Sequence, residues 1–226
     1  PEGIRYYKYL VRTETGSGDT IRRLQRRTVY FLSDVLEEMA SVMEENPELL
    51  ELYDSYSMSD GTPEEMLAQL SEEMLVDYPN PPDTVYTVKY VDDSLKEDLS
   101  PAFYLTPPID DALENVIYIN PLHIDGGLYT TLAHEGFPGH LYQTTYTNEA
   151  GLSLIRNLLS YSGYTEGWAT YVEYDTYKRV AAKDQPLAKL SMLESQFSLA
   201  LCAYIDMGVN YEGWTKQDVQ EYLEGI

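Results

Sequence analysis

A chain of 226 residues with 43% hydrophobic content holds enough apolar material for a packed core in one large domain or two small ones. Its 38 acidic residues against 15 basic ones give a formal net charge of −23, which excludes nucleic acid and anionic membrane surfaces as electrostatic partners. No run is apolar for long enough to insert in a bilayer, no signal peptide is visible, and the single cysteine, Cys202, excludes an intrachain disulfide.

Residues 1–19 read as irregular or weakly extended, with Gly16-Ser17-Gly18 as a loop. Asp19 or Thr20 is placed to cap a helix running to about Glu45, because Ile21, Leu24, Val29, Leu32, Val35, Leu36 and Met39 recur near helical spacing. On it, Arg22-Arg23 and Arg26-Arg27 form a basic cluster, expected to be solvated or paired with the chain's acids. A short helix follows around Pro47–Tyr53. Thr62-Pro63-Glu64-Glu65 then supplies a cap, a proline at the first position and acids in the first turn of a helix ending near Val76. Val85 to Val91, Ala102 to Leu105 and Val116 to Ile119 read as strands, with Asp110-Asp111 and Glu114-Asn115 in the last turn between them. Further helices are expected over 127–146, with an interruption, and over 150–160, 163–182, 186–208 and 215–224. Cys202 falls in an apolar helical run and is expected to pack as a small buried hydrophobe. The predicted fold is mainly α, one domain over 1–226: a helical part at 1–80, a small and mostly antiparallel β-sheet insert at about 84–120, and helices at 127–226.

The chemistry concentrates in His134-Glu135-Gly136-Phe137-Pro138-Gly139-His140 and, 26 residues on, in Glu166-Gly167-Trp168-Ala169. Two imidazoles and a downstream carboxylate are zinc ligands by type, and a catalytic zinc keeps a fourth position open for water. The spacing departs from H-E-x-x-H, where the histidines are four apart on one helix face. At about 100° per residue, a partner six residues on lies about 120° round a regular helix. Pro138 cannot donate to the carbonyl of His134, and Gly139 tolerates conformations other residues avoid. An interrupted helix, with about two residues extruded, is therefore predicted to swing His140 back toward His134.

His-Glu-x-x-Pro-Gly-His followed by Glu-Gly-Trp-Ala-x-Tyr resembles the bacterial DUF885 family, read as secreted or lipoprotein metallopeptidases related to the mostly helical thimet oligopeptidase-like zincins. Segments around Tyr6-Tyr7-Lys8-Tyr9, Tyr104-Leu105-Thr106-Pro107-Pro108, Tyr118-Ile119-Asn120-Pro121 and Ile205-Asp206-Met207-Gly208 also look like that family. The resemblance implies a zincin-like helical domain that looks like a piece of a longer, extracellular or cell-envelope protein. It implies one zinc ion on His134, His140 and Glu166, with Glu135 as general base. It also implies an edge strand near the metal that pairs with extended substrate, and the strand at Val116–Ile119 is a candidate. Many members carry a histidine in the late segment where this chain has Asn210, followed by Tyr211. The Tyr211 hydroxyl is a candidate oxyanion donor, or a packing residue.

Glu173, seven residues after Glu166, shares its helix face and either orients a histidine from behind or is solvated. Tyr164 and Tyr171 flank the Glu166 motif and are candidates to line a cleft; His123 reads as a loop residue. The expected function is hydrolysis of a peptide or small amide by zinc-activated water. The alternatives are a metal amidase acting on cell-wall fragments and a binding module with an incomplete site.

Overall fold

The computed structural model describes residues 2–108, 111–153, 155, 156, 159 and 161–226. In chain order its elements are α1 (Glu2–Thr15), α2 (Ile21–Glu45), α3 (Leu49–Leu52), α4 (Pro63–Glu73), β1 (Tyr86–Tyr90), β2 (Ala102–Leu105), β3 (Asn115–Ile119), α5 (Leu128–Glu135), α6 (His140–Glu149), α7 (Ser162–Thr176), α8 (Gln185–Met207), a π-helical turn at Gly208–Glu212, and α9 (Lys216–Glu224). The protein is mainly α with a small three-stranded sheet. The chain divides into two compact units, one of residues 1–52 and 186–226, the other of Tyr53–Gln185.

In the first unit, Thr20 caps α2 by accepting from the Arg23 N–H. Ile21, Leu32, Val35 and Val42 form the buried stripe of α2, and Leu187, Leu190 and Leu193 that of α8. Two expectations fail here. Residues 2–15 are helical rather than extended, although α1 buries no residue. Glu2 sits in its first turn and Arg12 in its last, which match the helix dipole, while Glu14 in the last turn opposes it. The helix is tied down across 199 residues of sequence by the Tyr7 hydroxyl, which donates to Asp206 at 2.5 Å. That contact does not show in the local pattern. Cys202 is exposed, because α8 leaves all of residues 198–206 at least partly open.

In the second unit, Thr62 and Glu65 form the reciprocal capping box that starts α4. The sheet order is β1-β3-β2, with β1 parallel and β2 antiparallel to β3. The sheet is thus mixed rather than mostly antiparallel. β3 carries Asn-Val-Ile-Tyr-Ile, is buried on both faces and takes the centre, whereas β1 and β2 keep exposed positions suited to edges. The core joins Leu67 and Leu70 of α4, Ile117 and Ile119 of β3, Leu128 and Leu132 of α5, and Leu141 of α6. The expected helix at 150–160 lies partly outside the described residues, as does Asp110.

These packing and capping interactions differ in scale. Leu132 is fully buried, so Leu132→Ala should cost about 2–5 kcal/mol in urea unfolding, whereas Thr62→Ala, which removes one exposed cap, should cost about 1 kcal/mol.

Candidate metal centre

The site begins where a helix stops. α5 ends at Glu135, and α6 begins at His140. The four residues between them, Gly136 to Gly139, are all buried, and the Phe137–Pro138 peptide bond is cis. The expected interruption is present, and four residues between the helices are non-helical. Both glycines are required by close approach. A Cβ on Gly139 would lie 1.8 Å from the His134 carbonyl oxygen, and one on Gly136 would lie 2.5 Å from Leu67 Cδ2. Backbone groups of this buried turn find partners: Gly136 N donates to Leu132 O, Tyr142 N to Gly136 O, and Gln143 N to Gly139 O. The Pro138 carbonyl accepts from the Trp168 indole at 2.8 Å, so the turn is pinned to α7. Phe137 is buried and packs edge-on to Tyr86.

The turn brings the two imidazoles together, with ring centroids 4.8 Å apart and planes at 86°. Glu166 arrives from α7, and one of its carboxylate oxygens lies 3.5 Å from Nε2 of both His134 and His140. Two ligands at 2.0–2.1 Å from a tetrahedral zinc are about 3.3 Å apart, so these separations match the edges of such a site. Nδ1 of His134 lies 3.0 Å from Glu173, also on α7. An Nδ1–H donated to Glu173 leaves the Nε2 lone pair facing the shared point. Of the two roles open to Glu173, the structure favours support of a ligand over solvation.

Ligand atoms of His134, Glu135 and His140 also lie within 4.8 Å of one another. The two nearby glutamates differ in environment. Glu135 Oε2 accepts the backbone N–H of Tyr104 on edge strand β2 at 2.8 Å. Burial pushes its carboxyl pKa up, opposed by that hydrogen bond and by His134. The Glu166 side chain is 61% exposed and takes no such backbone bond, which leaves it the better ligand and Glu135 the better base. Burial and the neighbouring His134 hold His140 below the ordinary imidazole range, so it is neutral and able to ligate. For His134, burial acts downward, but the Glu173 hydrogen bond and the charges of Glu135, Glu173 and Glu166 outweigh it and raise the pKa.

His123 sits in a short 3₁₀ turn and joins no such group. Tyr164 and Tyr171 are exposed and lie about 160° and 140° round α7 from Glu166, so they do not line its side. Tyr211 belongs to the first unit, in the π-helical turn, with Lys8 Nζ 5.3 Å from its ring centroid. β3 is central, so the unpaired edge beside Glu135 belongs to β2. Two supports were missed from the sequence, the Tyr104 N–H and the Trp168 indole; the first is a backbone group and leaves no side-chain signal.

A family model described as bacterial protein of unknown function (DUF885) matches residues 1–225. The chain belongs to the DUF885 family. No curated protein matches it. The crystal structure of a candidate lipoprotein from Colwellia psychrerythraea has a similar fold, with a TM-score of 0.82 at 20% sequence identity. The match covers 99% of this chain and 42% of that one, so this DUF885 chain spans less than half the length of that protein.

The site predicts two graded effects on zinc binding, read by titration against a competing chelator. His134→Ala should abolish stoichiometric binding. Glu173→Gln, which keeps the shape but loses the supporting charge, should weaken it by about 10–100-fold. Affinity should also fall as pH drops through the raised pKa of His134, because a proton there competes with the metal.

Proposed function

We propose that this DUF885 chain carries a single-zinc hydrolase site acting on peptides. The observation that carries the proposal is the placement of one Glu166 oxygen 3.5 Å from both imidazole Nε2 atoms, with the buried carboxylate of Glu135 alongside. His134, His140 and Glu166 would hold the ion. Zinc bound there supplies a Lewis acid for a carbonyl and a lowered pKa for water. Glu135 takes the proton of the attacking water at a carboxylate oxygen and delivers it to the leaving nitrogen. Its raised pKa suits both halves of that transfer. Tyr104 N–H fixes the carboxylate so that it does not swing into the ligand set. Glu173 holds the His134 ring.

A peptide substrate is favoured over other amides by β2, an edge strand whose backbone reaches Glu135. Extended chains add to such edges through main-chain hydrogen bonds. The description of the Colwellia protein as a lipoprotein supports a cell-envelope location for this one.

The test is digestion of a peptide library by zinc-loaded protein beside Glu135→Gln. The variant should bind zinc as tightly as the parent and lose about 10²–10⁴-fold in turnover. Undiminished turnover in Glu135→Gln, or no cleavage by fully zinc-loaded parent, would refute the proposal.

A further inference from the structure

A second feature lies in the first unit, on α2. Of its clustered arginines, Arg23 and Arg27 both pair with Asp19, at 3.3 and 2.9 Å. Among the described residues, Arg22 and Arg26 form no ion pair and no hydrogen bond, in a chain of net charge −23. They lie with Gln25, Val29 and Tyr30 at i, i+3, i+4, i+7 and i+8, the spacing of one continuous helix face. Such a face ordinarily carries apolar residues against a core. Here it forms one wall of an open groove of about 480 Å³, with Tyr204 and Glu212 also lining it. That volume falls in the range of small-molecule sites, about 300–1,000 Å³.

Gln25 makes the groove more than a charged surface. It is 8% exposed, and its amide opens onto the groove rather than being sealed in the core. An amide open to the groove can donate to a ligand and accept from it. Two guanidiniums offer paired donors to an oxyanion. The rings of Tyr30 and Tyr204 offer apolar walls for the body of the ligand. Long polyanions are repelled by the acidic chain as a whole. Repulsion on a small anion is screened beyond about 8 Å at physiological salt, so the local charges decide its binding, and there the two guanidiniums outnumber the one carboxylate, Glu212.

We propose that this groove is a binding site for a small organic anion, a carboxylate or phosphate monoester on an aromatic or apolar body. Arg22 and Arg26 hold the oxyanion, and Gln25 bonds the same group or its neighbour. Its lining residues all belong to the first unit, and the candidate metal ligands to the second.

Calorimetry and ligand-observed NMR on metal-free protein would use N-acetylphenylalanine, its primary amide and phenyl phosphate. The carboxylate or the phosphate should bind at one site per chain, and the tighter of the two identifies the source. The neutral amide should bind at least about tenfold more weakly, and Arg22→Gln and Arg26→Gln should each cost at least about tenfold, the loss of one charge-assisted contact. Zinc should leave the affinity unchanged. Both arginines are exposed, so these variants should melt with the parent. Failure of both anions to bind in the millimolar range would overturn the proposal. Equal binding of acid and amide, or unchanged affinity in the folded double variant, would do the same.

Discussion

The candidate metal site depends on a single steric constraint: the backbone of Gly139 must pass against the carbonyl of His134. No side chain fits there, since a Cβ would come within 1.8 Å of that oxygen. This approach lets α6 start close to where α5 stops, and so lets a histidine six positions on face its partner. A regular helix would turn it away by about 120°. Burying a four-residue turn leaves polar backbone groups needing partners. The Trp168 indole supplies one, and the same contact fastens α7, bearer of Glu166 and Glu173, to the turn. Ligand geometry and helix packing are therefore set together.

Around the two imidazoles stand three carboxylates in three environments. Glu135 is buried and held by a backbone N–H, Glu173 is tucked behind His134, and Glu166 is exposed. The first environment suits moving a proton, the second aiming a ligand, and the third ligating. Three acids and two imidazoles gather carboxylate oxygens and ring nitrogens at one place. Such a donor set is of the type that divalent cations take, and the zinc proposal rests on it.

Much of this was legible in the sequence because the signals are local. Thr62-Pro63-Glu64-Glu65 carries its own cap, and α4 starts there. Pro138-Gly139 cannot continue a helix, and α5 stops just ahead of them. The seven-residue spacing of Glu166 and Glu173 put both on one face, as observed. What was not legible is set by distant contacts. α1 has no buried face and is held by Asp206, far along the chain. The central place of β3 follows from which strand is most completely covered, a property of the packed sheet. Cys202 sits in an apolar run that the fold leaves open. The size of the interruption depends on how closely Gly139 approaches His134, which spacing alone does not fix.

The account stands most directly on the position of the ion. A crystal structure of the zinc-loaded protein, with anomalous scattering measured at the zinc edge, would locate it without reference to activity. The expected result is one anomalous peak per chain, about 2.0–2.1 Å from Nε2 of His134 and of His140, with a Glu166 oxygen completing the protein ligands. Glu135 should stay on the Tyr104 N–H and outside the coordination sphere. No peak at this point in zinc-saturated crystals, or a peak with His134 and His140 turned away from each other, would contradict it.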